Sequence, residues 1–111
     1  MPEAYDPQEY VEAVLALVEQ IPPGHVMAYG AIAECLHDRF GRGSARRVGT
    51  IMAKWGGGVP WHRVVASNGR LPPGHEVAAR KLLHGEGVAF RGDHVNMADC
   101  AWWPSHGGPA S

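Results

Sequence analysis

The sequence predicts a mostly α domain with a small β-wing, of the winged helix-turn-helix type. Three observations lead there. Apolar residues recur at helical spacing in successive stretches of the chain. Two of these stretches are joined by the short glycine-containing link "DRFGRG", the tight connection of a helix-turn-helix. A brief valine strand, "HRVV", then runs into "SNG", a turn that starts a wing.

Each element follows from local chemistry. Val11, Val14, Leu15, Val18 and Ile21 predict an amphipathic helix over 8–20. "IPPG" ends it, because proline cannot continue the hydrogen-bond ladder. "HVMAY" is a short extended stretch. Ala31, Ile32, Cys35 and Leu36 share the inner face of a second helix, which places Cys35 in the core. Ser44 is a suitable N-cap for a third helix. There, Ala45, Val48, Met52 and Trp55 are expected to point inward and Arg47, Thr50 and Lys54 outward, with Arg46 projecting from the first turn. "GGG" at 56–58 breaks that helix, and 76–84 form another, ended by Gly85. "VAFRGDHVNM" reads as a hairpin. "WWPSHGGPAS" reads as a docked aromatic pair and a frayed tail from 104. The whole of 1–111 is expected to be a single domain with its core within 8–103.

Net charge is −1, but its distribution is uneven. Residues 1–38 hold seven acids and no Lys or Arg, whereas 39–75 hold seven bases and no acid. A nearly neutral chain can thus present one positive face, as a phosphate-backbone binder requires. A third helix with outward Arg, Thr and Lys fits a helix that lies against DNA. No apolar run approaches the roughly 18 residues of a membrane span. The acidic start lacks the pattern of a secretory signal, so a cytoplasmic protein is expected. Cys35 and Cys100 are far apart and form no metal or disulfide framework. No cofactor and no metal is expected.

The motifs "IPPGHVMAYGAIAE", "SARRVGTIM", "PWHRVVASNGRL" and "KLLHGEG", in this order, resemble the C-terminal domain of the O6-alkylguanine-DNA alkyltransferases over roughly residues 8–90. Those enzymes place an acceptor cysteine between the proline and the histidine. Here that position is Trp61, as in the alkyltransferase-like proteins. The resemblance implies a protein that binds double-stranded DNA containing O6-alkylguanine, flips the damaged nucleotide and flags it for nucleotide excision repair proteins. It also implies that the chain is not an enzyme and acts as a monomer. An indole has no ionisable nucleophile, so Trp61 cannot accept an alkyl group, but it can stand as a wall beside a flipped base.

The same resemblance assigns the remaining positions. Arg46 matches the arginine that fills the space left by the flipped base, and Tyr29 matches the tyrosine that pushes on its phosphate. Ser44, Ala45 and Gly49 match positions where the helix nears DNA, and Ser67 matches a phosphate contact on the wing. Tyr29, Trp61, Val64 and Arg70 would line the lesion pocket, with Arg70 standing in for lid contacts that "RLPPGH" lacks. His62 and Glu86 match the pair that activates the cysteine, and with no thiol to activate they are expected to form a structural hydrogen bond. Trp55 replaces an asparagine that supports the turn, which implies a wider pocket mouth. Two alternatives stay open on the residues alone. One is alkyl removal through Cys35, Cys100 or a water activated by His62. The other is a winged-helix regulator that reads unmodified sequence.

Overall fold

The computed structural model describes residues 6–104. The end of the proposed tail, 105–111, lies outside the described residues. Helix α1 spans Pro7–Gln20, capped by the Asp6 carboxylate, which accepts from Gln8 N at 3.0 Å, with Pro7 pre-set for the first turn. It buries Tyr10, Val11, Val14, Leu17 and Val18. Strand β1 is Met27–Ala28, and α2 follows at once as Tyr29–Phe40, closed by Gly41 in the left-handed conformation. Helix α3 is Ala45–Trp55, with the Ser44 hydroxyl accepting from Arg47 N at 3.1 Å. Single 3₁₀ turns at Gly56–Gly58 and Trp61–Arg63 lead to β2, Val64–Val65. Helix α4 is Glu76–Gly85, β3 is Phe90–Arg91, β4 is His94–Val95, and α5 is Met97–Cys100. No helix among the described residues is long and apolar enough to cross a membrane.

Two apolar clusters hold these elements. The larger joins α1, α2 and α3 through Tyr10, Val14, Val18, Ile32, Leu36, Val48 and Ile51. The smaller gathers Val26, Val65, Leu83, Val88 and Val95 around α4 and the β3–β4 hairpin. Trp61 packs against both. Burial on this scale, at about 25 cal/mol per Å² of apolar surface, is the main stabilising term.

The expected helices are all present, with local differences. On α3 the buried stripe is Val48, Ile51 and Met52; Ala45 and Trp55 do not point inward. Trp55 is 43% exposed, and its ring is covered by Lys54 Nζ at 4.8 Å from the centroid. Arg47 is half-buried rather than outward, its guanidinium 5.6 Å from the centre of the Tyr10 ring. Cys35 is half-buried against the core, while Ala33 and Phe40 take buried places on α2. Helix α4 runs through Gly85, and the chain turns at Gly87 (φ 82°), where Gly87 N donates to His84 O and Val88 N to Leu83 O. That pair of bonds is a Schellman closure, which explains why the second glycine ends the helix.

The β-structure departs further from expectation. Strand β2 does not fold back as one arm of a wing; it pairs in parallel with β1, Met27 opposite Val64 and Ala28 opposite Val65. The turn at 66–69 exists, with Gly69 N donating to Ala66 O, and it leans on the hairpin through a bridge between Arg70 and His94. The expected hairpin is β3–β4, antiparallel, with Phe90 opposite Val95. Of the two closing tryptophans, Trp102 packs on the larger cluster, whereas Trp103 is 47% exposed beside Ala33, Glu34, His37, Asp38 and Gly43.

Gly43 shows how tightly the link between α2 and α3 is held. Its φ of 119° is open to glycine, and a Cβ there would overlap the Tyr10 hydroxyl. Tyr10 is fully buried and stands edge-on to Phe40 at 5.1 Å, so it cannot yield. Gly43→Ala is therefore expected to lower stability by about 2 kcal/mol or more. Urea unfolding checks this, and a midpoint equal to the wild type would contradict the clash.

Candidate nucleic-acid interface

The start of α2 and the length of α3 form one face. Gly30 lies so close to α3 that a Cβ on it would sit 3.8 Å from Ala45 Cβ, and a Cβ on Gly49 would touch the Tyr29 ring at 4.0 Å. Both are ordinary contact distances, which places the start of α2, the Tyr29 ring and α3 side by side. Tyr29 is half-buried, and burial pushes its hydroxyl above the ordinary tyrosine range, so it remains a neutral hydrogen-bonding group. Ser44 is exposed, and its hydroxyl is spent on capping α3. Arg46 is exposed, as are Ala45, Thr50 and Lys54. The fold brings Tyr29, Ser44, Ala45, Arg46 and Gly49 together, while Ser67 sits exposed on the turn after β2.

The run of seven bases is thereby divided. Arg47 lies over Tyr10 and Arg63 turns inward, leaving Arg39, Arg42, Arg46, Lys54 and Arg70 exposed. Arg63, like Arg47, is not the free surface charge that a positive face implies. Its Nε and Nη2 donate to the two carboxylate oxygens of Glu86 at 3.1 and 2.8 Å, and its Nη1 donates to Ile21 O at 2.9 Å. His62 Nε2 meets Glu86 Oε2 at 2.8 Å, and Gly24 N donates to Oε1 at 3.3 Å. The Arg63 guanidinium, then His62 and the Gly24 amide, hold the Glu86 carboxyl down to about 2, against the opposing effect of burial. One carboxylate therefore ties α4's end, the β2 approach and the loop after α1 together.

Trp61 stands on the 3₁₀ turn directly before His62 and is half-buried. Its ring meets two imidazoles edge-on, His62 at 5.9 Å and His75 at 5.6 Å between centroids. Two of the pocket residues expected with it lie elsewhere. Val64 is fully buried in the β1–β2 pair, so it backs Trp61 from within the core and has no face open to a ligand. Arg70 lines a different cavity of about 600 Å³, with Asn68, Glu76, Val77, Arg80 and His94. Neither thiol is prepared for nucleophilic work. Cys100 is buried, and the Cys35 thiol is pushed up by burial, then by Asp38 and Glu34. Among the described residues no group of three or more His, Cys, Asp or Glu could hold a metal ion.

Two helices joined by a tight turn, the second capped by serine and bearing an exposed arginine and lysine, define a helix-turn-helix DNA-binding domain. The chain belongs to the family described as "6-O-methylguanine DNA methyltransferase, DNA binding domain", whose family model matches residues 9–88. Among solved structures it is similar to S. pombe Atl1 in complex with damaged DNA containing O6-carboxymethylguanine. The identity is 28%, the TM-score 0.71, and the match covers 90% of this chain and all of that one. A second structure, of S. pombe ATL in complex with DNA, matches at 28% identity and a TM-score of 0.70, with the same coverage. No curated protein matches the chain by sequence.

Proposed function

We propose that this protein is a non-enzymatic sensor of O6-alkylguanine in duplex DNA. It would dock α3 in the minor groove, flip the damaged nucleotide and mark the site for nucleotide excision repair, acting as a cytoplasmic monomer. The observation that carries the reading is the combination of an alkyltransferase DNA-binding domain with an indole, Trp61, directly before the His62–Glu86 pair. A thiolate there would attack the alkyl carbon; an indole cannot. The pair has instead been absorbed into the Arg63–Glu86 ion pair. The likeness to Atl1 bound to a damaged duplex supports lesion binding over nearly the whole domain.

Flipping costs a few kcal/mol of unstacking. Arg46 would offset part of it by filling the vacated stack and hydrogen-bonding the orphaned base with its planar guanidinium. Tyr29 would hold the displaced phosphate, and Trp61 would receive the base. The test is anisotropy with one duplex carrying O6-methylguanine and the same duplex carrying guanine, at one fixed salt concentration. Tighter binding to the lesion is expected, and equal affinity would sink the sensor reading. Arg46→Ala is expected to weaken lesion binding about tenfold or more while leaving the fold intact. Unchanged lesion affinity would remove Arg46 from the flipping role.

A further inference from the structure

Trp61 has two imidazole neighbours, and they are held differently. His62 is bound to the Glu86 carboxylate at 2.8 Å and is buried. His75 is exposed, and its side chain makes no capping bond to α4 although it occupies the cap position. Its backbone is nevertheless fixed, because His75 N donates to Pro72 O at 3.1 Å and His75 O accepts from Ala79 N at 2.9 Å. Pro72 and Pro73 stiffen the segment before it. The result is an exposed imidazole on a fixed backbone, its ring centre 5.6 Å from that of the indole. Glu86 is spent on His62 and Arg63, and Glu76, next to His75, lines the separate cavity with Arg70 and Arg80.

We infer that His75 is a specificity-determining residue of the Trp61 site, and that its imidazole N–H selects O6 substituents bearing a carboxylate. This rests on the sensor reading above. A base held beside Trp61 would project its O6 substituent toward a neighbouring ring. An apolar substituent gains only contact there, whereas a carboxylate accepts an N–H bond that is stronger for its charge. His75 thus adds discrimination among lesions, while Arg46 and Trp61 set the preference for damage over guanine.

The experiment measures binding of the wild type, His75→Ala and His75→Gln to three otherwise identical duplexes, carrying guanine, O6-methylguanine or O6-carboxymethylguanine. His75→Ala is expected to weaken carboxymethylguanine binding about tenfold relative to methylguanine. Its preference for methylguanine over guanine is expected to hold within about twofold. His75→Gln, which keeps an N–H donor, is expected to recover part of the loss. An unchanged ratio between the two lesions in His75→Ala would overturn the inference and leave the sensor reading standing. A wild type that does not distinguish either lesion from guanine would overturn both.

Discussion

Glu86→Ala is expected to lower the free energy of unfolding at neutral pH by about 3 kcal/mol. The carboxylate accepts from Arg63 twice, from His62 and from the Gly24 amide. These partners are mostly shielded, with side-chain exposures of 15% for Arg63 and 11% for His62, so its loss leaves a guanidinium and an imidazole poorly solvated. The same site sets an acid limit. The carboxyl titrates at about 2 in the fold against an ordinary 4.5, so its contribution is complete above pH 4.5 and is lost as pH falls toward 2. Urea unfolding across that range is expected to show wild type and variant converging in acid. Equal stability at pH 7 would show that the cluster contributes nothing.

Trp61→Ala is expected to abolish most lesion selectivity. Stacking of a base on an aromatic side chain is worth about 1–3 kcal/mol, so the ratio of lesion to guanine affinity should fall roughly 30-fold. On the proposed reading, affinity for undamaged duplex rests on the exposed bases rather than on Trp61, and should change by less than about threefold. Because Trp61 joins both apolar clusters, its removal also costs stability, and circular dichroism must confirm the fold. Trp61→Phe separates the two effects by keeping an aromatic wall with less area. A folded Trp61→Ala protein that keeps full lesion preference would make Trp61 a packing residue only.

The helices were legible because apolar residues recur at a period near 3.6, with Ser44 as a cap and proline or glycine as stops. What was illegible has a physical reason in each case. Val64 and Val65 are both fully buried, so their strand has no alternation by which sequence could reveal its partner, and β1 was not an obvious mate. Trp55 lies on the end of α3, where the neighbouring elements no longer cover the stripe, so its size argued for burial and its position denied it. Arg63 counted as surface charge because its acceptors, Ile21 O and Glu86, are distant in sequence. His75 was passed over for the same reason: the ring contact with Trp61 exists only once the lid segment folds back. The grouping of Tyr29 with Ala45 and Gly49 was foreseen through the family motifs rather than from spacing.

The short parallel strip at the centre governs the order in which this domain can assemble. Met27 pairs with Val64, and the other side of the strip is closed by Val26 N on Cys100 O and Trp102 N on Val26 O. Residues from mid-chain, 64–65, and from much later, 100–102, are thus laid against the segment Val26–Ala28. Contacts so distant in sequence form slowly, because loop closure must precede the gain from pairing. During synthesis α1, α2, α3 and the β1–β2 pair can gather once residue 65 is available, whereas the bonds of Val26 wait for Cys100 and Trp102. The Trp61 turn, which enters β2 directly, is thus set by the β1–β2 pair, and the Val26 bridge to Ala101 closes the far edge afterwards.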